Sequence, residues 1–230
     1  VKLLQVIKEL NNIFPIDIIA TFLGAHTFPP EYKNDNEKYI ELLLNELLPY
    51  ISEHNLAHFC DVFCEITAFS RDQTQKIFEV ANKYGFKLKL HTEQFNSIGG
   101  LELALKMNAI SVDHLEVLQD NQIDLFTNSD TTAVLLPGVS FLLDYDYAPA
   151  RKLIASNAIV ALASDYNPGS SHIPNFQLIM SLAALKMDMT IEEILSAVTI
   201  NAAKALNISE LADNVSIPFS TLTTLKKPYI

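Results

Sequence analysis

A chain of 230 residues with 49% hydrophobic and 19% charged side chains can fill one sizeable core, burying roughly 70% or more of its unfolded surface. That composition excludes a disordered chain, two cysteines exclude a disulfide scaffold, and no run approaches the ~18 uninterrupted apolar residues of a membrane-spanning helix. Sixteen Lys and Arg against 27 Asp and Glu give a formal charge of −11, which argues against nucleic acid or an anionic membrane as partner but leaves a small anionic substrate open.

Helical and strand-like segments alternate along the chain. Val1 to Asn12 is helix-patterned, with no Met and no basic-then-apolar leader before it. That start is expected of a piece of a longer protein, and two thiols without an export signal suit a reducing cytoplasm. Ile16 to Gly24 is a short run rich in β-branched residues, Glu37 to His54 an amphipathic helix, and His58 to Ile66 again strand-like. Ser70 opens a helix with the spacing of a capping box, and Gly85 sits just past its end. Phe86 to Leu90 reads as a strand and Ile98 to Met107 as a helix. Ala109 to Leu115, Ala133 to Leu136 and Ile159 to Ala163 are three more strands, with a helix around Ala148 to Ala155 between the last two. From Phe176 to Leu206 two or three helices are expected, one of them N-capped by Thr190.

This alternation predicts six βα units and a parallel sheet. A doubly wound sheet and a (β/α)₈ barrel both fit that count. A nucleotide-binding doubly wound fold places a Gly-rich turn after its first strand, whereas Gly99-Gly100 lacks the G-x-G-x-x-G spacing. Here nearly every strand ends in a polar or ionisable residue: His26, Glu65, His91 with Gln94, His114, and Asp165 with Asn167. Barrel active sites are built at the C-terminal ends of several strands. The expectation is therefore an α/β barrel, two strands short.

His91 and Asp165 are the first candidates, an imidazole and a carboxylate able to share a divalent metal, zinc or iron. His114 ends the next strand, where it is placed to exchange protons with a water or a leaving nitrogen. Asp165-Tyr166-Asn167-Pro168-Gly169-Ser170-Ser171 ends a strand and enters a turn whose amides and hydroxyls suit a carboxylate. The set His54, His58, Cys60 and Cys64 has zinc-type ligands, but in a strand the last three span about 20 Å at roughly 3.3 Å per residue. Buried structural thiols are the stronger reading there.

Taken together, these strings resemble imidazolonepropionases, members of the metal-dependent amidohydrolase superfamily. The resemblance rests on TFLGAHTFPPEY (Thr21 to Tyr32), CDVFCE (Cys60 to Glu65), LHTEQ (Leu90 to Gln94) with Gly99-Gly100, DHL (Asp113 to Leu115), LLPG (Leu135 to Gly138), ASDYNPGSS (Ala163 to Ser171) and TINAAKAL (Thr199 to Leu206). It implies hydrolysis of the ring amide of 4-imidazolone-5-propanoate to N-formimidoyl-L-glutamate in histidine degradation, with one zinc or iron ion as cofactor. It implies His91 and Asp165 as metal ligands, His114 in proton transfer, Asp165 also as acceptor of the water's proton, and Gln94 and His26 on the ring. Asn167, Gly169 and Ser170 would line the substrate or product, with Glu93 beside Gln94. A homodimer is the oligomer it suggests.

The departures are specific. The family carries a His-x-His pair after its first strand, and none occurs in these 230 residues. The six strands then correspond to the third to the eighth of the barrel. Residues 1–207 are expected to be a partial barrel and 208–230 a divergent or truncated tail, and this polypeptide alone is expected neither to close the barrel nor to turn over substrate. The competing readings are another amidohydrolase, such as a deaminase or cyclic-amide hydrolase, and a non-catalytic barrel-derived protein.

Overall fold

In the computed structural model, which describes residues 1–209, the apolar runs become six strands of one parallel sheet. They are β1 (Thr21–Ala25), β2 (Phe59–Phe63), β3 (Lys87–Thr92), β4 (Ser111–His114), β5 (Thr132–Leu135) and β6 (Val160–Leu162). Each pairs parallel with its successor, so spatial order equals chain order. A doubly wound sheet would reverse its order partway. Sequential order with intervening helices is that of a barrel wall, and β1 and β6 are its two edges among the described residues. The expected tail lies, from residue 210 onward, outside the described residues.

The helices are α1 (Lys2–Ile13), α2 (Asn36–Leu42), α3 (Leu48–Glu53), α4 (Arg71–Lys83), α5 (Gly100–Lys106), α6 (Asp120–Ile123), α7 (Pro137–Leu143), α8 (Ala150–Ala155), α9 (Phe176–Lys186), α10 (Ile191–Val198) and α11 (Ile200–Ala205). Several start as their side chains dictate. At α4 the Ser70 Oγ accepts the Gln73 N–H while Gln73 accepts the Ser70 N–H, and Thr190 with Glu193 does the same at α10. Gly85 follows α4 with φ +82°, a left-handed turn that costs glycine little.

Strand alternation divides the sheet into two chemically distinct faces. Cys60, Val62, Leu88, Leu90, Val112, Ala133, Leu135, Val160 and Leu162 pack under the helices in the main core, against residues such as Phe78, Leu101 and Leu153. The other face carries two rows in register. One runs Asp61, Lys89, Ser111, Thr132, and the row above it Phe63, His91, Asp113, Val134, Ala161. Lys89 is buried, donates to the Ala205 carbonyl at 3.2 Å and lies over the Phe59 ring. It thereby ties the end of α11 to the sheet.

Four local expectations are corrected. The first strand begins at Thr21 rather than Ile16, because the Asn11 side chain takes both backbone groups of Ile18 (2.7 and 2.8 Å), which a strand would need for pairing. The helix predicted over 37–54 is continuous in path but widens to a π turn at Leu43–Leu47. Pro49, one turn further on, has no N–H to donate and crowds the preceding turn. α6 and α7 were not foreseen: they are short, and α7 is begun by Pro137 at its first position. Finally, β6 ends at Leu162, so Asp165 does not end a strand; it sits in the turn beyond, with φ +47°.

The Gly99-Gly100 pair also has a packing reason. Gly99 is left-handed at φ +83°, and a Cβ on Gly100 would run into the Thr92 side chain and lie 3.2 Å from the Cys64 sulfur. The pair lets α5 approach β3 closely.

Candidate active site

The β1, β3 and β4 ends and the turn after β6 bring the candidate residues toward one mouth. His26 follows β1 directly and stacks on Phe63 with ring centres 5.3 Å apart; its edge meets His91 at 6.4 Å. His91 lies inside β3 rather than after it, on the inward row, and His114 is the last residue of β4. The two rings are 5.4 Å apart. Asp165 faces both imidazoles closely enough to be felt by each.

The inward row explains the electrostatics. The His91 Nδ1 lies 3.1 Å from both oxygens of buried Asp61 and 3.9 Å from Asp113. Burial opposes charge on the ring, but Asp61, Asp113 and Asp165 outweigh it and push its pKa up to about 9. His26 moves the other way: desolvation against Phe63 and the neighbouring His91 lower its pKa. Burial raises the Asp165 carboxyl, while His114 and His91 act against that shift.

Among the described residues, Asp61, His91 and Asp113 are the group of three whose ligand atoms all fall within 4.8 Å of one another. Two carboxylates and an imidazole form a mixed N/O set that suits a divalent cation such as zinc or iron. The donor chemistry therefore fits a metal. Asp61 is held against the His91 Nδ1, a carboxylate–histidine contact of the kind that orients an imidazole. Sequence reasoning missed both aspartates. Their signal was an acidic residue at the inward parity of an apolar strand, as in FCDVF and SVDH.

Gln94 is buried, and its amide nitrogen donates to the Tyr145 hydroxyl at 3.1 Å. Tyr145 lies beyond α7 and packs edge-on to Phe95, a contact the sequence did not suggest. Glu93 is fully buried, and burial raises its pKa. Its neighbour Glu65 is a loop anchor, accepting from the N–H groups of Ile66, Phe95 and Asn96.

The turn after β6 is organised by Asn167. Its Oδ1 accepts the Gly169 and Ser170 N–H groups, both at 2.8 Å, and its Nδ2 donates to the Asp165 carbonyl and the Ser170 hydroxyl. This Asx-type turn sets the backbone that carries Asp165, with Gly169 exposed and Ser170 half-buried.

The His54, His58, Cys60 and Cys64 set does not assemble among the described residues. His54 is exposed and stacked on Tyr50. Cys60 and Cys64 are buried thiols; burial pushes both pKa values up, that of Cys64 to about 11.

The pattern described as the amidohydrolase family matches residues 65–215. The chain is 50% identical over 207 residues to an imidazolonepropionase of Thermoanaerobacter pseudethanolicus, covering 90% of this chain and 50% of that protein. It is 44% identical over 228 residues to an imidazolonepropionase of Flavobacterium psychrophilum, covering 99% and 56%. The chain thus spans about half the length of the curated relatives it matches. Among solved structures, an adenosine deaminase from Xanthomonas campestris with bound zinc superposes with a TM-score of 0.69 at 15% identity, over 90% of this chain and 51% of that one. A guanine deaminase from C. acetobutylicum with bound guanine gives 0.67 at 15% identity, over 88% and 55%. At such identities these two establish the fold alone.

Proposed function

The chain belongs to the amidohydrolase family, and on that premise we propose that it supplies half of the active site of an imidazolonepropionase. The reaction is hydrolysis of the ring amide of 4-imidazolone-5-propanoate, a small-molecule substrate, to N-formimidoyl-L-glutamate. The observation that carries this reading is the gathering of His26, His91 and His114 toward one mouth from β1, β3 and β4, with Asp165 facing them, in a chain 50% identical to an imidazolonepropionase.

His91 and Asp165 would hold the metal, with Asp61 and Asp113 near His91 as further oxygen donors. Zinc and iron both suit this donor set. When bound, such an ion lowers the pKa of a coordinated water and polarises a carbonyl. The chain's own residues supply the rest. Asp165 would accept the proton of the attacking water. His114 returns a proton to the departing ring nitrogen. Gln94 and His26 hold the imidazolone ring: a neutral amide hydrogen-bonds it without adding charge, and burial, with His91 nearby, lowers the His26 pKa and so favours its neutral form. The Gly169 and Ser170 backbone, set by Asn167, lines the open product. A homodimer in the cytoplasm belongs to the same reading. In the structure itself, no described helix is long and apolar enough to cross a membrane.

The test is turnover of 4-imidazolone-5-propanoate by the full-length gene product, with and without added zinc or iron. His91→Ala and Asp165→Asn are each expected to lower kcat by at least about 10²-fold. Turnover of cyclic ureides or aminated bases in its place would move the protein to another branch of the family.

A further inference from the structure

Between His114 and Leu118 the chain turns through two consecutive left-handed residues, His114 at φ +85° and Leu115 at φ +71°. Neither is glycine, and such conformations persist only where the surrounding structure imposes them. Those surroundings are visible. The Leu115 N–H bonds the Thr92 carbonyl, the Val117 N–H bonds the Glu93 carbonyl, and the Leu115 side chain is fully buried in the main core. With Leu115 anchored outward, its two neighbours are turned together: the His114 Nδ1 lies 3.4 Å from each oxygen of the Glu116 carboxylate. Both side chains are withdrawn from solvent, 4% and 1% exposed.

A buried carboxylate is costly unless something accepts it. Glu116 Oε2 has no hydrogen bond within the described structure, and Oε1 is paired with His114 alone. Glu116 also sits close enough to Tyr145 to help hold that hydroxyl protonated, and Tyr145 is the partner of Gln94. The carboxylate therefore contacts His114 and is felt electrostatically by Tyr145.

We propose that Glu116 is the positioning residue of His114: its carboxylate takes the Nδ1 hydrogen, fixes the ring's tautomer, and leaves Nε2 unprotonated toward the mouth. An imidazole's second nitrogen is defined by the hydrogen bond the first one makes. With Nδ1–H committed to Glu116, Nε2 is the nitrogen that exchanges protons with the reacting groups. Contacts of this length at catalytic histidines tighten when substrate binds. The proposal rests on the role given to His114 above, but its geometry does not depend on which cyclic substrate is hydrolysed.

The experiment is long-range ¹H–¹⁵N correlation spectroscopy of the full chain carrying ¹⁵N-histidine, with the His114 ring assigned by its loss in His114→Gln. In the wild type, the His114 Nε2 resonance is expected in the unprotonated range and Nδ1 in the protonated range. Glu116→Gln keeps an acceptor oxygen and preserves that pattern. Glu116→Ala removes it and shifts the ring toward the Nε2–H tautomer. A wild-type ring protonated at Nε2 overturns the proposal without any variant having to fold, and so does an unchanged pattern in a folded Glu116→Ala. Because no substrate is present, the tautomer result stands apart from the turnover test: a chain inactive on imidazolone propanoate but with His114 held as expected separates the two.

Discussion

The two faces of the sheet are built from alternate residues of the same strands, yet they obey opposite rules. Toward the helices, Val62, Leu90, Val112 and Leu135 are essentially inaccessible and make the main core. Toward the barrel axis, Asp61, Lys89, His91, Ser111 and Asp113 put ionisable and polar groups where solvent is scarce. The outer face gains stability from apolar burial alone. The inner face is held together by specific pairings, and it is the face whose groups are placed to do chemistry. On the inner face itself the charge is confined to β2, β3 and β4. Across β5 and β6 this face carries no charge and, above Thr132, turns apolar, with Val134, Leu136, Ala161 and Ala163 forming a second, smaller cluster against Tyr145. An oriented site needs such a dry wall opposite its charges, because low local polarity strengthens every pairing across it.

The sharpest way to break this contrast is to remove one member of an inner pair. Asp61→Ala takes the nearest, buried carboxylate from the His91 ring and is expected to destabilise the chain by about 3–5 kcal/mol, read as a lower denaturant midpoint. If the cost were near zero, the inner face would be solvated and the contrast would fail. On the outer face Leu90→Ala opens a cavity and is expected to cost about 2–5 kcal/mol by the same measurement. That loss should be independent of added zinc, whereas the Asp61→Ala loss should change with it.

Smaller effects belong to the rim. Ser70→Ala removes one half of the α4 capping box and should cost about 1 kcal/mol, visible as faster amide exchange in the first turn of α4. The smallest belongs to a charge pair outside the barrel. Arg151 grips Glu193 at 2.6 and 2.8 Å, and this hydrogen bonding holds the Glu193 carboxyl down at about 2. A lowered folded pKa stabilises the chain above the ordinary glutamate range, and the contribution is lost as pH falls through that range toward about 2. Because the arginine is half-exposed and the pair is screened, Glu193→Gln should cost no more than about 1 kcal/mol at neutral pH. The difference between mutant and wild type should vanish near pH 2 in acid titrations of stability.

Much of this fold was legible because its two periodicities are strong. Six apolar runs separated by amphipathic segments, nearly every strand followed by polar residues, state a parallel barrel wall, and the capping residues Ser70 and Thr190 mark where helices begin. His91, His114 and Asp165 were legible as candidates because ionisable residues follow apolar strands. Boundaries were less so. Asn11 captures the backbone of Ile18 from the opposite side of a turn, and no local pattern announces that. Asp61 and Asp113 escaped notice since each looks, in the linear string, like one charge in an apolar run. Only the register of β2, β3 and β4 puts them beside one imidazole.

The amino-acid sequence by itself determined the class of the fold, the order of its elements, the apolar outer core and the identity of the histidines at the strand ends, because these follow from local propensity and from alternation along single strands. Tertiary structure alone decided which groups meet: Asp61 with His91, Glu116 with His114, Tyr145 with Gln94, Lys89 with the last carbonyl of α11. Those meetings depend on strand register and on the backbone turns at His114, Leu115 and Asp165. Register and turn geometry are set by the packing of residues far apart in the chain, which no window of neighbouring residues contains.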